Sequence, residues 1–497
     1  MNKQLSKLAL VAVLLLVSLI VATTYWQTWA AAGLQNRQDN SVELVAQFKV
    51  ARGLILGNNG KTVLAANRRQ RVNGQTLYFR RYPTKGLAAQ TVGYSTSART
   101  QTGLEESLND YLTGANTDLS NAIRRELDTL GGATVHGNNV VLTLNPAAQA
   151  LALQQLGGRC GAVVAMNVKT GAVSVMASSP TYDPNLVDKN GGYAKILKIK
   201  GECGDGSALL NNATAGLFTP GSTFKMVTAA AALDSGAFTP TSTFEDPGYC
   251  TEYGKHVDNA SNPDQNGPES YGHVTLAEGF QHSINSVFCN VGKKIGAATI
   301  LEYAKKFGFY STPPLETPAN ERAPSGLYYN GKLEYPKHPD TAVDPGRLAF
   351  GQEHLAVTPL QMLLVASTIA NGGIVPRPYL VQRIVGPNGS TVRETKPDTL
   401  GRAIKPETAA ELTQMMISVV QAGTGMAAQI PGVEVAGKTG TAETNVNHVY
   451  TAWFVCFAPA NDPKFAVAVV LEKQLNGFGG GVAAPIAKLV LEKLLGG

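Results

Sequence analysis

The 497-residue sequence contains only five cysteines, and they are far apart. They are Cys160, Cys203, Cys250, Cys289 and Cys456, and no two of them form a C-x-x-C pair. Because structural zinc sites need closely spaced thiolates or histidines, this spacing excludes the common zinc modules. No metal or other cofactor is expected. The odd count leaves at least one thiol without an internal partner, and although an oxidising compartment would permit a disulfide, we expect most of the thiols to be buried and inert.

Charge is also scarce, because charged residues make up 16% of the chain and the net charge is +6. A net charge this small for the length predicts an ordinary surface. No basic cluster indicates a nucleic-acid partner, and internal repeats and low-complexity tracts are absent. With 44% hydrophobic residues the chain can bury large cores, and its length suggests more than one domain.

Long apolar runs are limited to one near the N-terminus. Residues 8–23 carry no charge, follow Lys3 and Lys7, and continue through Tyr25 and Trp26, which are typical of membrane interfaces. We predict a cytoplasmic tail over 1–7, an uncleaved transmembrane signal-anchor over 8–26, and a remainder outside the cytoplasm at the plasma membrane. The alternative is a secretory signal, for which the Ala-rich residues 30–32 offer a cleavage site.

A single S-x-x-K motif, Ser222 to Lys225, provides the first candidate for catalysis. On a helix this spacing puts the hydroxyl and the amine on one face. Serine is a weak nucleophile until a base takes its proton, and lysine serves only when its amine is neutral. That requires a pKa about three units below the ordinary ~10.4, from burial and a nearby positive charge such as Lys438. Since Pro220-Gly221 ends a loop, Ser222 is predicted at the N-terminus of a helix, where free amides favour an oxyanion.

Two further motifs follow in order along the chain. Ser283-Ile284-Asn285 is an S-x-N, and a capping box at Thr275 to Glu278 predicts a helix that ends close to it. Lys438-Thr439-Gly440 is a K-T-G, followed by Thr441 and a strand-like run over 450–457. Together the three motifs predict an acyl-transfer site.

Each of the later motifs has a second copy. Lys169-Thr170-Gly171 joins two alternating apolar runs, which predicts a hairpin turn and not a site. Ser107-Leu108-Asn109 lies in a polar segment that we predict to be helical. We therefore expect both copies to lie outside the catalytic cleft, because a motif counts only in its expected context.

The ordered set resembles the signature of penicillin-binding proteins and serine β-lactamases. Ile284 stands where that signature has Asp, a change more often met in transpeptidases. Segments elsewhere resemble the class B, monofunctional D,D-transpeptidases, and the short pedestal is most like that of the penicillin-binding protein A group of actinobacteria, although Gly57 and Asn58 depart from the acidic-basic pair usual there. The segments are residues 52–55, 59–65, 81–83, 93–94, 103–105 and 179–185.

The resemblance implies an α+β fold class with three parts: the transmembrane helix, a small mixed pedestal domain over 27–143, and a penicillin-binding transpeptidase domain over 144–497 with a central antiparallel sheet flanked by helices. Local patterns place a helix after Asn145-Pro146, a hairpin over 161–178 and a final amphipathic helix over 484–495. The Pro-rich stretch over 313–345 is predicted to be a long loop at the lip of the groove.

The same resemblance implies the role of each site residue. Ser222 would attack the penultimate D-Ala carbonyl of a peptidoglycan stem peptide, and Lys225 would be its base. Ser283 would relay a proton to the leaving nitrogen, while Asn285 would bind the substrate backbone. Lys438 and Thr439, with Gly440 beside them, would hold the terminal carboxylate, and the N–H groups of Ser222 and Thr441 would form the oxyanion hole. The implied partners are stem peptides, β-lactam antibiotics and proteins of the cell-wall synthesis machinery.

Two other functions remain open at this point. A hydrolase, either a D,D-carboxypeptidase or a β-lactamase, needs an acid that activates water. The E-x-x-L-N string from Glu105 to Asn109 precedes Ser222 and is attributed to coincidence, and Glu353 is the nearest candidate after the S-x-N. A drug sensor or scaffold that keeps an acylable serine without turnover is the non-enzymatic alternative.

Overall fold

The structure is a computed structural model that describes residues 2–28, 48–98, 100–115, 134–252, 254–259, 269–444 and 446–496. The predicted cleavage site over 30–32 lies outside the described residues. The helices are α1 (Asn2–Thr28), α2 (Ala89–Val92), α3 (Gly103–Ser107), α4 (Asn109–Thr113), α5 (Pro146–Leu156), α6 (Gly192–Leu197), α7 (Lys225–Asp234), α8 (Leu276–Gln281), α9 (Asn285–Lys306), α10 (Pro339–Ala342), α11 (Pro345–Ala349), α12 (Pro359–Ala370), α13 (Pro406–Ala422) and α14 (Ala484–Leu495).

The strands are β1 (Ile55–Leu56), β2 (Val63–Val72), β3 (Gln75–Arg81), β4 (Asn139–Leu142), β5 (Gly161–Asn167), β6 (Val173–Ser179), β7 (Thr243–Asp246), β8 (Tyr249–Glu252), β9 (Lys255–Asp258), β10 (Gly272–Thr275), β11 (Gly326–Tyr329), β12 (Lys332–Leu333), β13 (Leu355–Ala356), β14 (Ile374–Pro376), β15 (Val381–Val385), β16 (Thr391–Glu394), β17 (Thr399–Arg402), β18 (Ala436–Glu443), β19 (Val449–Ala458) and β20 (Phe465–Leu475).

Helix α1 contains a segment, Ser6–Trp26, that is long and apolar enough to cross a membrane. Its mean hydropathy is 2.6 and none of it is buried inside the protein. The rings of Tyr25 and Trp26 meet edge to face at 5.7 Å at its end. A free apolar surface of this length needs a nonpolar environment, which the helix does not find among the described residues.

The central sheet has the order β18-β19-β20-β5-β6, and all of its strands are antiparallel. Strand β5 sends Ala162, Val164 and Met166 into one core and Val163 and Ala165 into the other. Helices α5 and α14 cover the second core, and α12 covers the first. Because both faces are buried, the strands consist of nearly continuous apolar runs. The predicted sheet flanked by helices is confirmed.

A second sheet has the order β16-β15-β4-β1-β2-β3. Strand β1 pairs parallel with β4, and the other pairs are antiparallel. Two of its strands, β15 and β16, come from beyond residue 380, so this sheet crosses the predicted boundary at residue 143. Local patterns cannot show such a return, because the pairing joins β4 to a strand more than two hundred residues later. The division into domains at 143 stays a prediction.

The predicted local elements have different outcomes. Helix α5 begins after Asn145, whose Oδ1 accepts hydrogen bonds from the N–H groups of Ala147 and Ala148, and α14 has the predicted bounds. The prediction of one long loop over 313–345 is wrong. That stretch contains β11, which pairs with β12 and β13 and buries Leu327 completely. Its strand forms because the partner β13 lies close in the fold.

The expectation of mostly inert thiols is also wrong. Cys160 is bonded to Cys203 and Cys250 to Cys289, whereas Cys456 is a free, buried thiol. The paired residues are 43 and 39 positions apart, yet their Cα atoms lie 5.7 and 6.3 Å apart, within reach of a disulfide. Only the fold creates that proximity.

Candidate active site

Ser222 lies in a 3₁₀ turn, Gly221–Phe224, that leads directly into α7. The backbone of Gly221 has φ +51°, and a Cβ there would lie 2.8 Å from the carbonyl oxygen of Thr441. Glycine therefore satisfies both the left-handed conformation and the close approach to β18. The predicted position of Ser222 at the N-terminus of a helix is confirmed.

The S-x-N segment lies in a break between two helices. The capping box at Thr275 and Glu278 is present and starts α8, as predicted. Ser283 then adopts φ +60°, and α9 begins at Asn285. A left-handed serine interrupts the helix and turns its side chain toward the lysine of α7, so the predicted break is confirmed.

Both lysines donate hydrogen bonds to this segment. Lys225 Nζ donates to the carbonyl oxygen of Ser283 at 2.6 Å and to Asn285 Oδ1 at 2.8 Å, with Ser283 Oγ at 3.4 Å. Lys438 Nζ donates to Ser283 Oγ at 2.8 Å. Ser283 thus lies between the two amines. In the described part of the chain, Lys225 makes no hydrogen bond to Ser222, although both lie on the same side of the helix start.

The two amines are completely buried and have no carboxylate partner among the described residues. Burial lowers the pKa of Lys225 well below its ordinary value, and the charge of Lys438 lowers it further. Burial lowers the pKa of Lys438 to about 7. The rings of Phe288 and Phe280 lie 5.2 and 5.5 Å from the two amines. Burial and the charge of Lys438 both favour the neutral form of Lys225 that a general base requires.

The K-T-G segment forms part of β18, the edge strand of the central sheet, where Lys438 pairs with Val455 and Thr441 with Ala452. Because an edge strand leaves every second backbone N–H unpaired, β18 offers donors on the side of Ser222. A Cβ on Gly440 would lie 2.8 Å from the carbonyl oxygen of Pro220, so glycine permits this close packing. The eight predicted site residues lie together.

Comparison with known proteins agrees with this geometry. Residues 161–492 match the penicillin binding protein transpeptidase domain, and residues 52–140 match the penicillin binding protein A dimerisation domain. The chain belongs to the penicillin-binding protein transpeptidase family. The peptidoglycan D,D-transpeptidase PbpA of Mycolicibacterium smegmatis is 34% identical over all of this chain and 99% of its own length. That of Mycobacterium tuberculosis is 35% identical over the full length of both chains.

Solved structures of penicillin-binding proteins have the same fold. The ceftriaxone acyl-enzyme complex of penicillin-binding protein A from M. tuberculosis superposes with a TM-score of 0.75 at 33% identity, over 90% of this chain and 99% of that one. The D,D-transpeptidase domain of a peptidoglycan glycosyltransferase from Eggerthella lenta gives 0.74 at 32% identity, with the same coverage.

The second copies of the motifs are not part of the penicillin-binding protein's cleft. Lys169 is exposed in the turn between β5 and β6, where Thr170 Oγ1 donates to Asn167 Oδ1 at 3.0 Å. Asn109, of the other copy, begins α4, and its Oδ1 accepts a hydrogen bond from Arg52 at 2.7 Å. The predictions of a turn at Lys169 and of a helical segment at Asn109 are both confirmed. Glu105, in the same segment as Asn109, is fully buried and ion-paired to Arg52 and Arg80, so it stabilises the fold.

Sequence reasoning missed Thr424. The Oγ1 atom of Thr424 lies 2.6 Å from Thr439 Oγ1. A Cβ on Gly480 would lie 2.2 Å from the carbonyl oxygen of Thr424 and 3.6 Å from Thr439 Cγ2, so the segment at Gly480 packs closely on both threonines. The only available signal was a hydroxyl between two glycines that follow a long helix.

A buried polar network under the first turn of α9 was also missed. Asn285 Nδ2 donates to the carbonyl oxygen of Asp258 at 3.0 Å, and the N–H of Ser286 donates to Asn259 Oδ1 at 3.0 Å. Ser286 Oγ donates to Asp246 at 2.5 Å. One turn further along α9, the Cys289 disulfide joins the same helix to β8. These contacts hold Asn285 against Lys225.

Glu353, the candidate for activating water, lies in a segment whose Gly351 accepts a hydrogen bond from the N–H of Gly221. Burial raises the pKa of its carboxyl, and its charged neighbours are His354, Asp344 and Arg347. Neither Ser222 nor Lys225 forms a hydrogen bond or an ion pair with it in the described residues.

Proposed function

We propose that this protein is a peptidoglycan D,D-transpeptidase that crosslinks stem peptides through an acyl-enzyme on Ser222. The observation that carries the proposal is the pair of buried lysines without a carboxylate, placed between a helix N-terminus and the edge strand β18. The named activity of the two mycobacterial relatives supports it, as do the acyl-enzymes that M. tuberculosis penicillin-binding protein A forms with penicillin G, imipenem and ceftriaxone.

In the proposed acylation, neutral Lys225 takes the proton of Ser222 as Oγ bonds to the penultimate D-Ala carbonyl carbon. The oxyanion is stabilised by the N–H groups of Ser222 and Thr441, each donor being worth about a hundredfold or more in rate. The carbon–nitrogen bond then breaks. Ser283, which is hydrogen-bonded to both amines, relays a proton to the departing nitrogen, and terminal D-Ala leaves as a neutral amine.

In the proposed second step, an amine of a neighbouring stem peptide attacks the ester carbon. A new carbon–nitrogen bond forms, the bond to Ser222 Oγ breaks, and Oγ recovers the proton that the amine loses. No group is oxidised or reduced, and the proposed cycle uses no cofactor.

Substrate recognition is proposed to use the edge of β18. Lys438 and Thr439 would hold the terminal carboxylate, because a charged donor and a hydroxyl make a charge-assisted pair with it. Thr424 would orient the hydroxyl of Thr439. Asn285 would bind the substrate backbone, and Gly440 would let the Ser222 turn pack closely on the strand that an extended peptide would line.

We also propose that α1 is an uncleaved single-pass anchor in the plasma membrane, with the pedestal (27–143) and the catalytic domain (144–497) outside the cytoplasm. The apolar surface of α1 supports the anchor, and the two disulfides suit an oxidising compartment. In this position the enzyme can meet proteins of the wall-synthesis machinery, which we propose as partners.

The acyl-enzyme is tested with fluorescent penicillin and mass spectrometry of the adduct. Wild-type protein should be labelled on Ser222, and Ser222→Ala should not be labelled. Ser235→Ala, at the other end of the same helix, is the matched control and should retain labelling. An adduct on another serine, or labelling that survives Ser222→Ala, would contradict the assignment.

Transpeptidation and hydrolysis differ in the nucleophile that attacks the acyl-enzyme ester on Ser222, which is an amine in the first and water in the second. With a synthetic stem peptide and a D-amino-acid acceptor, we expect the exchanged product to exceed the hydrolysed one, and bound penicillin to persist for many minutes. Rapid release of penicilloate that is lost in Glu353→Gln would instead make the protein a hydrolase. Labelling without any turnover of the stem peptide would support a sensor.

A further inference from the structure

The positive charge of this chain is concentrated in one part of the pedestal, contrary to the ordinary surface predicted from its net charge. Residues 44–104 contain ten basic residues and no Asp or Glu, while the remainder of the chain has a small excess of acidic residues. The basic residues are Lys49, Arg52, Lys61, Arg68, Arg69, Arg71, Arg80, Arg81, Lys85 and Arg99. Such local asymmetry indicates an anionic partner.

Five of these arginines lie on a projecting hairpin, which we call the basic ribbon (residues 66–81 of β2 and β3), and three of them, Arg68, Arg69 and Arg71, are near its turn. Strand β1 pairs with β2 only as far as Ala65, so the ribbon extends past the sheet as two strands alone. Asn73 and Gly74, with φ +46° and +79°, form its two-residue turn. By register, Arg69 and Arg71 share one face and Arg68 lies on the other.

The three arginines near the ribbon turn have no acidic partner among the described residues. Arg68, Arg69 and Arg71 are exposed, and none forms an ion pair with a described residue. Arg80, at the base of the ribbon, differs because it pairs with the buried Glu105. Like charges held this close repel each other, so the ribbon leaves an attraction for anions that the protein does not satisfy.

The ribbon is close to α1 along the chain. Phe48 stacks on Phe79 of the ribbon at 5.0 Å, and it follows the end of α1 by twenty residues. Twenty residues reach at most about 70 Å, so the chain length permits the ribbon to contact the surface of the membrane that holds α1. Tyr78 and Phe79 add the aromatic side chains that accompany arginine at lipid headgroups.

We propose that the basic ribbon binds anionic phospholipid headgroups of the membrane in which α1 is anchored. Guanidinium groups match the geometry of phosphate. Three arginines without an acidic partner, which the chain length allows to reach the bilayer, provide charge complementarity to anionic headgroups. The contact fixes the pedestal at the bilayer surface and thereby limits how far Ser222 can move from it. The inference depends on the proposed anchor but not on the proposed chemistry.

The test uses the full chain in nanodiscs made either of phosphatidylcholine alone or with phosphatidylglycerol added. A donor dye on Asn73→Cys at the ribbon turn and an acceptor dye on lipid headgroups report proximity by energy transfer. We expect stronger transfer in the anionic discs, and a decrease toward the phosphatidylcholine value at high salt because screening weakens the contact.

The decisive variant is the triple change Arg68→Gln, Arg69→Gln and Arg71→Gln. Each arginine should contribute about fivefold to the ratio of bound to free ribbon, so transfer in anionic discs should fall to the phosphatidylcholine level. Its matched control is Lys195→Gln, Lys198→Gln and Lys200→Gln, three exposed lysines near α6, which should leave transfer unchanged.

Penicillin labelling should be unchanged in both triple variants, which shows that they are folded and separates this inference from the proposed activity. Equal transfer in the two kinds of disc, or equal losses in the two triple variants, would overturn the proposal. It would also be overturned if the arginine variant lost binding to isolated cell-wall sacculi while its disc signal stayed at the wild-type value, because the partner would then be an anionic wall polymer.

Discussion

Two buried clusters of basic side chains, one in the pedestal and one in the catalytic cleft, differ in whether an acid accompanies them. In the pedestal, Arg52 Nη2 lies 2.9 Å from Glu105 Oε2, and Arg80 pairs with the other oxygen of the same carboxylate. In the cleft, Lys225 and Lys438 are equally buried, but their hydrogen-bond acceptors are neutral oxygens of Ser283, Asn285 and Thr439.

The difference shows in the protonation of each cluster. Burial alone would raise the pKa of Glu105, but Arg80 and Arg52 reverse this and leave that pKa below its ordinary value. Without such a partner, burial lowers the pKa of both lysines. Burial therefore accompanies an ion pair where a carboxylate is present, and it favours a neutral amine where none is. Residue type matters as well, because arginine keeps its proton where lysine can release it.

The largest expected effect comes from giving the cleft a cation that cannot lose its proton. Lys225→Arg introduces a side chain that stays protonated and cannot act as the base, so the second-order rate of acylation by penicillin should fall by about 10²–10⁴-fold. The rate is measured by stopped-flow or by gel fluorescence. A variant that acylates within a few-fold of wild type would show that Lys225 is not the base.

Removing the acid from the pedestal should affect stability and not chemistry. Glu105→Gln leaves two buried guanidinium groups without a full counter-charge, at a cost of roughly 3–5 kcal/mol in the free energy of unfolding. Urea unfolding of the detergent-solubilised full chain at pH 7 measures the loss. Acylation by the protein that remains folded should match wild type, and a large acylation defect in folded protein would contradict the separation of the two clusters.

The pH dependence of that loss has a defined sign. Because the folded pKa of Glu105 is depressed, its contribution to stability is present above its ordinary value of 4.5 and disappears as pH falls through the folded pKa. The difference between wild type and Glu105→Gln should therefore shrink in acid. A difference that grew as pH fell would mean that Glu105 is not ionised in the folded protein.

Lys438 and Lys169 lie in identical K-T-G tripeptides, but only Lys438 is buried. Substituting each of them tests whether burial in the cleft makes the lysine important for acylation. Lys438→Ala removes a charged donor for the substrate carboxylate, worth about 1.5–3 kcal/mol or roughly 10- to 150-fold in acylation. Lys169→Ala, in an exposed turn, should change little. Equal losses in two folded variants would show that the wrong tripeptide had been assigned to the cleft.

The same lysine gives acylation an alkaline limit. Lys438 has a pKa of about 7, so the fraction of charged amine that can hold a carboxylate falls as pH rises above 7. The acylation rate of wild type should decline there, and it should decline in acid as Lys225 becomes protonated. Lys438→Ala should lose the alkaline decline and keep the acid one.

The smallest expected effect concerns how each cluster is held in place. Ion pairs hold the pedestal cluster, whereas the cleft depends on the network under α9 and on the disulfide from Cys289 to Cys250. Replacing both of these cysteines by serine should slow acylation on the order of tenfold. This is less than the roughly hundredfold loss of rate that a 1 Å displacement of a catalytic group can cause. The same change at Cys160 and Cys203, the matched control, should leave the rate near wild type.

The sequence by itself determined the features whose physics is local. The S-x-x-K face, the capping box at Thr275 and the turn at Lys169 each depend on residues within a few positions, so their local geometry follows from spacing and from helix and turn preferences. The order of the three motifs then indicated acyl transfer, and the need for a depressed lysine pKa followed from the chemistry of serine.

Only the tertiary structure decided which groups meet across the chain. Lys225 reaches Ser283 across 58 positions, and Lys438 reaches the same serine across 155. Other contacts also join segments that are distant in sequence. They are the two disulfides, the pairing of β15 with β4 in the second sheet, and the contact of Thr424 with Thr439. Burial and close approach are properties of the packed chain, and they lower the pKa of two ordinary lysines, as the proposed roles of base and carboxylate anchor require.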